Sequence, residues 1–313
     1  MPGRSMGLRN MMKKRYMALI LALILLLALP TAHAASTPLL YRVTDGQGHV
    51  IYLFGTIHVG NEALYPLPDA VLEAFDACDK LAVELDLIYE QEHPEELLRY
   101  AMDVYYTDGT QTGDVLGADT VELAAKALNM DKRLLSAMKP HGILSLLEER
   151  SVQDALLDAN LGVDLFLLRR AREMNKEIVP LETVAQQFSL IHGMSDSIAA
   201  YQIRMYALYP QQAALATLML LNAWKTGDLM AMRKMLEADS DVSMLPEELA
   251  EEILAYNRQM YADRDLAFTK RAQTFLQNGD KVFFAVGAAH VAGENGIADQ
   301  LEQLGYTVEK IHP

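Results

Sequence analysis

The sequence predicts an α/β fold in which strands from the two ends of the chain build a central mixed sheet around a large helical insertion. Three observations predict it. Val50-Ile51-Tyr52-Leu53-Phe54 and Val282-Phe283-Phe284-Ala285-Val286 have the length and the β-branched and aromatic content of buried strands. Each runs into a glycine with a histidine three residues later, as Gly55-Thr56-Ile57-His58 and Gly287-Ala288-Ala289-His290. Between these runs the apolar residues recur at three and four positions over long stretches, which is the period of a helix.

Residues 1–34 read as an export signal rather than as part of the fold. Arg4, Arg9, Lys13, Lys14 and Arg15 give a basic start without an acid, and Met17 to Leu29 is apolar without interruption. Pro30 ends that run before Ala32-His33-Ala34, which has the small-x-small form of a cleavage site. Cleavage is expected after Ala34, leaving residues 35–313 as one domain in the periplasm or outside the cell. The apolar run is shorter than the ~20 residues of a spanning helix, and an uncleaved amino-terminal anchor is the alternative. Membrane contact is expected only through that segment.

The domain opens as a hairpin, with Leu39 to Val43, a turn through Asp45-Gly46-Gln47-Gly48, and His49 to Phe54. Tyr65-Pro66-Leu67-Pro68 is a turn that leads into a helix of about ten residues from Asp69. Lys80 to Leu87 reads as a short buried strand with one acid, Glu84, in its middle. The pattern is helical from His93 to Met174, as at Leu165, Leu168 and Ala171. Ile178 to Leu181 is a further strand ending at Glu182-Thr183, where Glu182 is a candidate cap for the next helix. A second helical block runs from Val184 to Gln277 and carries Met205, Met219, Met230, Met232 and Met235. These methionines read as core filling, with an adaptable groove for apolar peptides as the alternative. Lys281 to Ile311 closes the domain as strand, GxxH, helix and strand, the last at Tyr306 to Ile311.

The formal charge of −15 becomes about −20 once the basic leader is removed, which argues against nucleic acid as a partner. Cys78 is the single cysteine, so an exported chain has no internal disulfide and its stability comes from a core. Asp76 and Asp79 beside it disfavour a thiolate, and Cys78 reads as a small buried residue.

His58 and His290, at matching strand exits, are placed to converge on one metal ion or one substrate. Glu84 is the natural third member, because a carboxylate in an apolar strand is costly without a cation. Two imidazoles and a carboxylate suit a divalent metal. A buried salt bridge to an arginine, with Arg258 a candidate, is the other reading of Glu84. HExxH, GxSxG and a phosphate-cradling glycine loop are absent from the sequence. His93, His141, His192 and His312 lack such company and read as ordinary.

Phe54-Gly55-Thr56-Ile57-His58-Val59-Gly60 and Ala285-Val286-Gly287-Ala288-Ala289-His290-Val291-Ala292-Gly293 resemble the two end signatures of the TraB/GumN family, also called TraB/PrgY/Tiki. Val83-Glu84-Leu85, Gly162-Val163-Asp164, Leu181-Glu182-Thr183 and Asn257-Arg258 stand between them in the family's order. His141, after Lys139-Pro140, departs from the tryptophan of the family pattern. The resemblance implies a fold similar to erythromycin esterase and ChaN-like proteins. It also implies a metalloprotease dependent on manganese or cobalt, as in membrane-anchored Tiki members, with His58, His290 and Glu84 at the site and Arg258 as polar neighbour. Bacterial members include a branch linked to blocking peptide pheromone signalling.

These readings converge on a hydrolase acting on peptides or small molecules. In it His58, His290 and Glu84 hold manganese, cobalt or zinc, Glu84 is ligand or general base, and Arg258 stabilises an oxyanion. A non-catalytic binder of peptide or haem and a metal-independent ester hydrolase are the alternatives.

Overall fold

The computed structural model describes residues 37–312. The export segment and its expected cleavage point lie outside the described residues. Six strands form one mixed sheet: β1 (Leu40–Thr44), β2 (Val50–Thr56), β3 (Lys80–Val83), β4 (Glu177–Pro180), β5 (Val282–Gly287) and β6 (Thr307–Lys310). Their order across the sheet is β4-β3-β5-β2-β1-β6. The expected α/β class and the union of terminal strands are both observed.

β1 and β2 form the hairpin, with Tyr41 opposite Leu53 and Val43 opposite Ile51. Asp45 tightens its turn by accepting hydrogen bonds from the Gln47 and His49 amides. β6 runs antiparallel along β1, so the last strand joins the first. β2 and β5 are parallel neighbours with Thr56 opposite Gly287, and β3 and β4 extend the parallel block beyond β5. Four parallel strands therefore end at one edge, where ligands of open α/β sheets bind.

Parallel strands need cover on both faces, and the aromatic pairs show how it is supplied. Phe283 meets Phe75 of the Asp69–Asp76 helix at 5.3 Å, whereas its neighbour Phe284 meets Phe275 of the Asp263–Asn278 helix at 6.2 Å. Successive strand residues face opposite ways, so these two helices cover opposite faces. All six residues of β5 are buried.

The helical insertion has an apolar cluster of its own around Val121, Leu135, Ile143, Leu147 and Ile203. It is tied to the sheet by Trp224, in the Pro210–Thr226 helix, which is 1 % exposed and donates its indole N–H to the Gly55 carbonyl at 2.7 Å. Among the described residues, no helix is long and apolar enough to cross a membrane.

Three expectations need correction. β3 stops at Val83, so Glu84 stands at the strand exit rather than inside the strand. Glu182 does not cap the following helix; Thr183 does, in a capping box with Gln186. Met205, Met219 and Met230 are 41, 54 and 62 % exposed, so core filling describes only Met232 well. Cys78 is buried as expected, and burial pushes its thiol up to about 12, which keeps it inert.

Candidate functional site

The carboxyl edge of the parallel block collects one polar residue after another. β3 delivers Glu84, and the chain leaving β4 stays paired with it, since the Glu182 amide donates to the Glu84 carbonyl at 2.9 Å. β5 ends in Gly287, whose N–H donates to Glu84 Oε1 at 2.6 Å, and the short Ala288–Ala292 helix then presents His290. β2 leads through Thr56 to His58.

Each histidine is held by an aspartate through Nδ1. His58 Nδ1 lies 2.8 Å from Asp164 Oδ2, and His290 Nδ1 lies 2.6 Å from Asp265 Oδ1. Asp164 is placed by the Gly162–Asp164 segment, which packs directly on the first motif. The Val163 amide donates to the Ile57 carbonyl at 2.9 Å, and a Cβ at position 162 would sit 2.5 Å from the His58 carbonyl oxygen, so only glycine fits. Thr56 donates its hydroxyl to the other Asp164 oxygen. The charge of Asp164 raises His58 to about 9, and Asp164 is itself held below the usual carboxylate range by His58 despite its burial.

The two imidazoles differ in exposure. The His58 side chain is 64 % exposed and faces an open cavity, whereas that of His290 is 4 % exposed under Phe268. Arg264, from the Asp263–Asn278 helix, lies between His290 and the acids. It donates to Glu182 at 2.8 and 2.7 Å, to Glu84 Oε2 at 2.7 Å, and through Nη1 to His290 Nε2 at 3.0 Å. Because a guanidinium only donates, His290 accepts at Nε2 and carries its proton at Nδ1, toward Asp265. Burial opposes the Glu84 charge, yet His58, His290, Arg264 and the Gly287 N–H together hold its carboxyl low. Burial wins at Asp265, whose carboxyl is raised.

Arg258 does not join this group. It is exposed in a π-helical turn, Arg258–Ala262, that interrupts the long helix just before Arg264. The turn does serve the site, because Met260 lines the cavity and its carbonyl accepts from Arg264 Nη1 at 3.1 Å. Arg264, Asp164, Asp265 and Glu182 are thus the polar members that sequence reasoning missed. Only Asp164 and Glu182 lay in motifs singled out beforehand.

The donor chemistry fits a divalent cation. A metal-binding histidine commonly gives its far nitrogen to a carboxylate, as both do here. A cradle exists at Gly287, where a Cβ would lie 3.2 Å from Glu84 Oε1 and 3.4 Å from His58 Nε2. The set is not closed around one point: the ligand atoms of His58, Glu84 and His290 do not all fall within 4.8 Å of one another, and Arg264 engages the His290 Nε2 lone pair, so binding an ion here requires that guanidinium to turn away. Above the group opens a cavity of about 670 Å³ whose far wall is apolar, built from Leu220, Met205, Met232, Met235 and Leu236.

His141 and His192, read as ordinary from the sequence, have company after all. Their rings stack at 4.1 Å, and with Asp103 they bring three ligand atoms within 4.8 Å of one another.

A model of the TraB/PrgY/gumN family matches residues 39–310, from the first strand of the sheet to the last. The chain belongs to that family. It is 25 % identical to Metalloprotease TIKI2 of Danio rerio, over 84 % of this chain and 58 % of the relative. It is also 25 % identical to Metalloprotease TIKI1 of Homo sapiens, over 82 % and 59 %, and to an uncharacterised Treponema pallidum protein over 52 % and 49 %. The chain spans less than three-fifths of the length of these relatives. No solved structure matches it.

Proposed function

We propose that the protein is a peptidase-like hydrolase whose site at the carboxyl edge of the sheet holds a divalent cation through His58, His290 and Glu84. The observation that carries this reading is the pair of aspartate-backed imidazoles meeting a carboxylate around the open space at Gly287. The TIKI relatives, named as metalloproteases, support it. A cation bound there supplies Lewis acidity toward a carbonyl oxygen and toward water.

This chain's residues supply the rest. Glu84 is kept ionised beside the cavity, which suits it to hold the cation; where the two histidines alone hold the ion, it is instead the group placed to accept a proton from the attacking water. Arg264 fills the part expected of Arg258, since its charge lies within reach of an oxyanion formed near Glu84 and His290. The apolar wall receives a substrate's hydrophobic side chains, and Asp164 and Asp265 fix the ring orientations. Hydrolysis of a fluorogenic peptide library by the purified protein with manganese, cobalt or zinc tests the reading. Activity that is lost in His58→Ala and His290→Ala supports it, and absence of metal-stimulated turnover in the unaltered protein contradicts it.

The same aspartate–histidine pairs favour one second reading, a metal-independent ester hydrolase in which His58 is the base once it has lost its proton, so that activity rises with pH toward about 9. Ester turnover that survives a strong chelator and is lost in Asp164→Asn identifies that case.

A further inference from the structure

We propose that Asp103, His141 and His192 form a second divalent-metal site, of the nitrogen and oxygen donor type that takes zinc, cobalt or nickel, which pins three helix ends of the insertion together. Asp103 follows the last residue of the Glu95–Met102 helix, His141 is the second residue of the Pro140–Asp154 helix, and His192 ends the Val184–His192 helix. Residues so far apart in sequence reach ligand spacing only because the three helices converge, and one ligand atom from each lies within 4.8 Å of the others. The two rings stack with an interplanar angle of 21°, so an ion shared by both requires one imidazole to turn until its in-plane lone pair meets that of the other.

The hydrogen bonding is incomplete in a way that a cation would complete. His141 Nε2 is buried and has no hydrogen-bond partner, a state that is costly for a polar nitrogen. His192 Nδ1 meets Asp103 Oδ2 at 3.0 Å. Lys139 donates to the other Asp103 oxygen, Oδ1, at 2.6 Å, so it orients the carboxylate without blocking the face turned to the histidines. The group borders a cavity of about 160 Å³, with room for an ion and water, and a second carboxylate, Asp196, lines the same space. Two imidazoles with carboxylate oxygens suit borderline transition metals better than magnesium or calcium. The lysine on Asp103 Oδ1 leaves one carboxylate oxygen for the ion, which matches a three-residue shell completed by water or Asp196.

The test is a cobalt(II) titration of purified protein followed by visible absorption, with bound metal counted after dialysis. It is run in the wild-type chain and in a His58→Ala/His290→Ala background, which removes the site at the sheet edge. In that background one cobalt should still bind and raise the melting temperature. His141→Phe and His192→Phe keep a ring in the stack and remove the ligand nitrogen. Each should weaken the remaining binding by more than about 100-fold, since loss of supporting contacts alone costs 10–100-fold. Should the background variant fold poorly, the wild-type chain carries the test, and His192→Phe should then lower its cobalt count by one. The proposal is overturned if the phenylalanine variants, folded by circular dichroism, bind cobalt with the stoichiometry and spectrum of their parents. It is also overturned if a folded background variant binds none. Failure of the sheet-edge reading gives a different pattern, in which all cobalt is lost with the phenylalanine changes.

Discussion

Replacing Arg264 with leucine would leave Glu84 and Glu182 facing each other without the guanidinium that now lies between them. Their side chains are 11 and 10 % exposed and that of Arg264 is 12 %, so solvent screens this ion pair weakly. Removing one partner of such a buried pair costs about 3–5 kcal/mol, because the remaining charges are uncompensated. For a chain of this size that corresponds to a fall in melting temperature of roughly 6–20 °C. Thermal unfolding in metal-free buffer, monitored by circular dichroism, reads the effect directly. Combining Arg264→Leu with Glu182→Gln should recover a substantial part of the loss, since one of the stranded charges is then gone. Added manganese or cobalt should stabilise Arg264→Leu more than the unaltered protein, by replacing the missing positive charge. A shift below about 2 °C would refute the reasoning, for it would mean that the Arg264 guanidinium is not what balances the two buried carboxylates.

Other outcomes follow from the same geometry. Asp164→Asn should lower the His58 pKa from about 9 toward the ordinary imidazole value, seen by NMR titration, and weaken metal binding about 10–100-fold; an unchanged His58 titration contradicts this. In the metal-free protein, the raised His58 pKa contributes stability that is fully present below its unfolded value of 6.5 and is lost as pH rises through about 9. Metal uptake at His58 runs the opposite way, strengthening about tenfold per pH unit up to about 9 as the competing proton leaves, and a pH-independent affinity would argue against His58 as a ligand. Gly287→Ala places its methyl 3.2 Å from Glu84 Oε1 and 3.4 Å from His58 Nε2, while its φ of −50° suits any residue. Activity should fall far more than stability, and full activity in this variant would show that the space is unused.

Much of the fold was legible because its signals are local. The two apolar runs with their glycines, the Asp45–Gly48 turn and the closing strand each follow from a few adjacent residues, and so did the positions of His58 and His290, whereas Glu84 was expected inside a strand that in fact ends one residue before it. The arginine was not legible. Arg258 and Arg264 lie on one long helix, and the π turn between them shifts the helical phase by about 100° per extra residue, so sequence spacing alone does not say which of them faces the sheet. Asp265 follows Arg264 in a charged stretch that reads as a solvated face, yet it is 5 % exposed because His290 packs over it. Asp164 stood in a visible motif, but its partner 106 residues away is set by tertiary packing. The pairing of His141 with His192 is likewise a product of helix convergence and leaves no trace in local pattern.

Manganese binding tests the central claim most directly, when measured by loss of the free-ion EPR signal in protein carrying His141→Phe and His192→Phe so that only the sheet-edge site remains. One manganese per chain, abolished by His58→Ala and by His290→Ala in protein that still folds, is the predicted result. No uptake, or uptake indifferent to both histidines, would contradict a metal centre built from the two GxxH motifs.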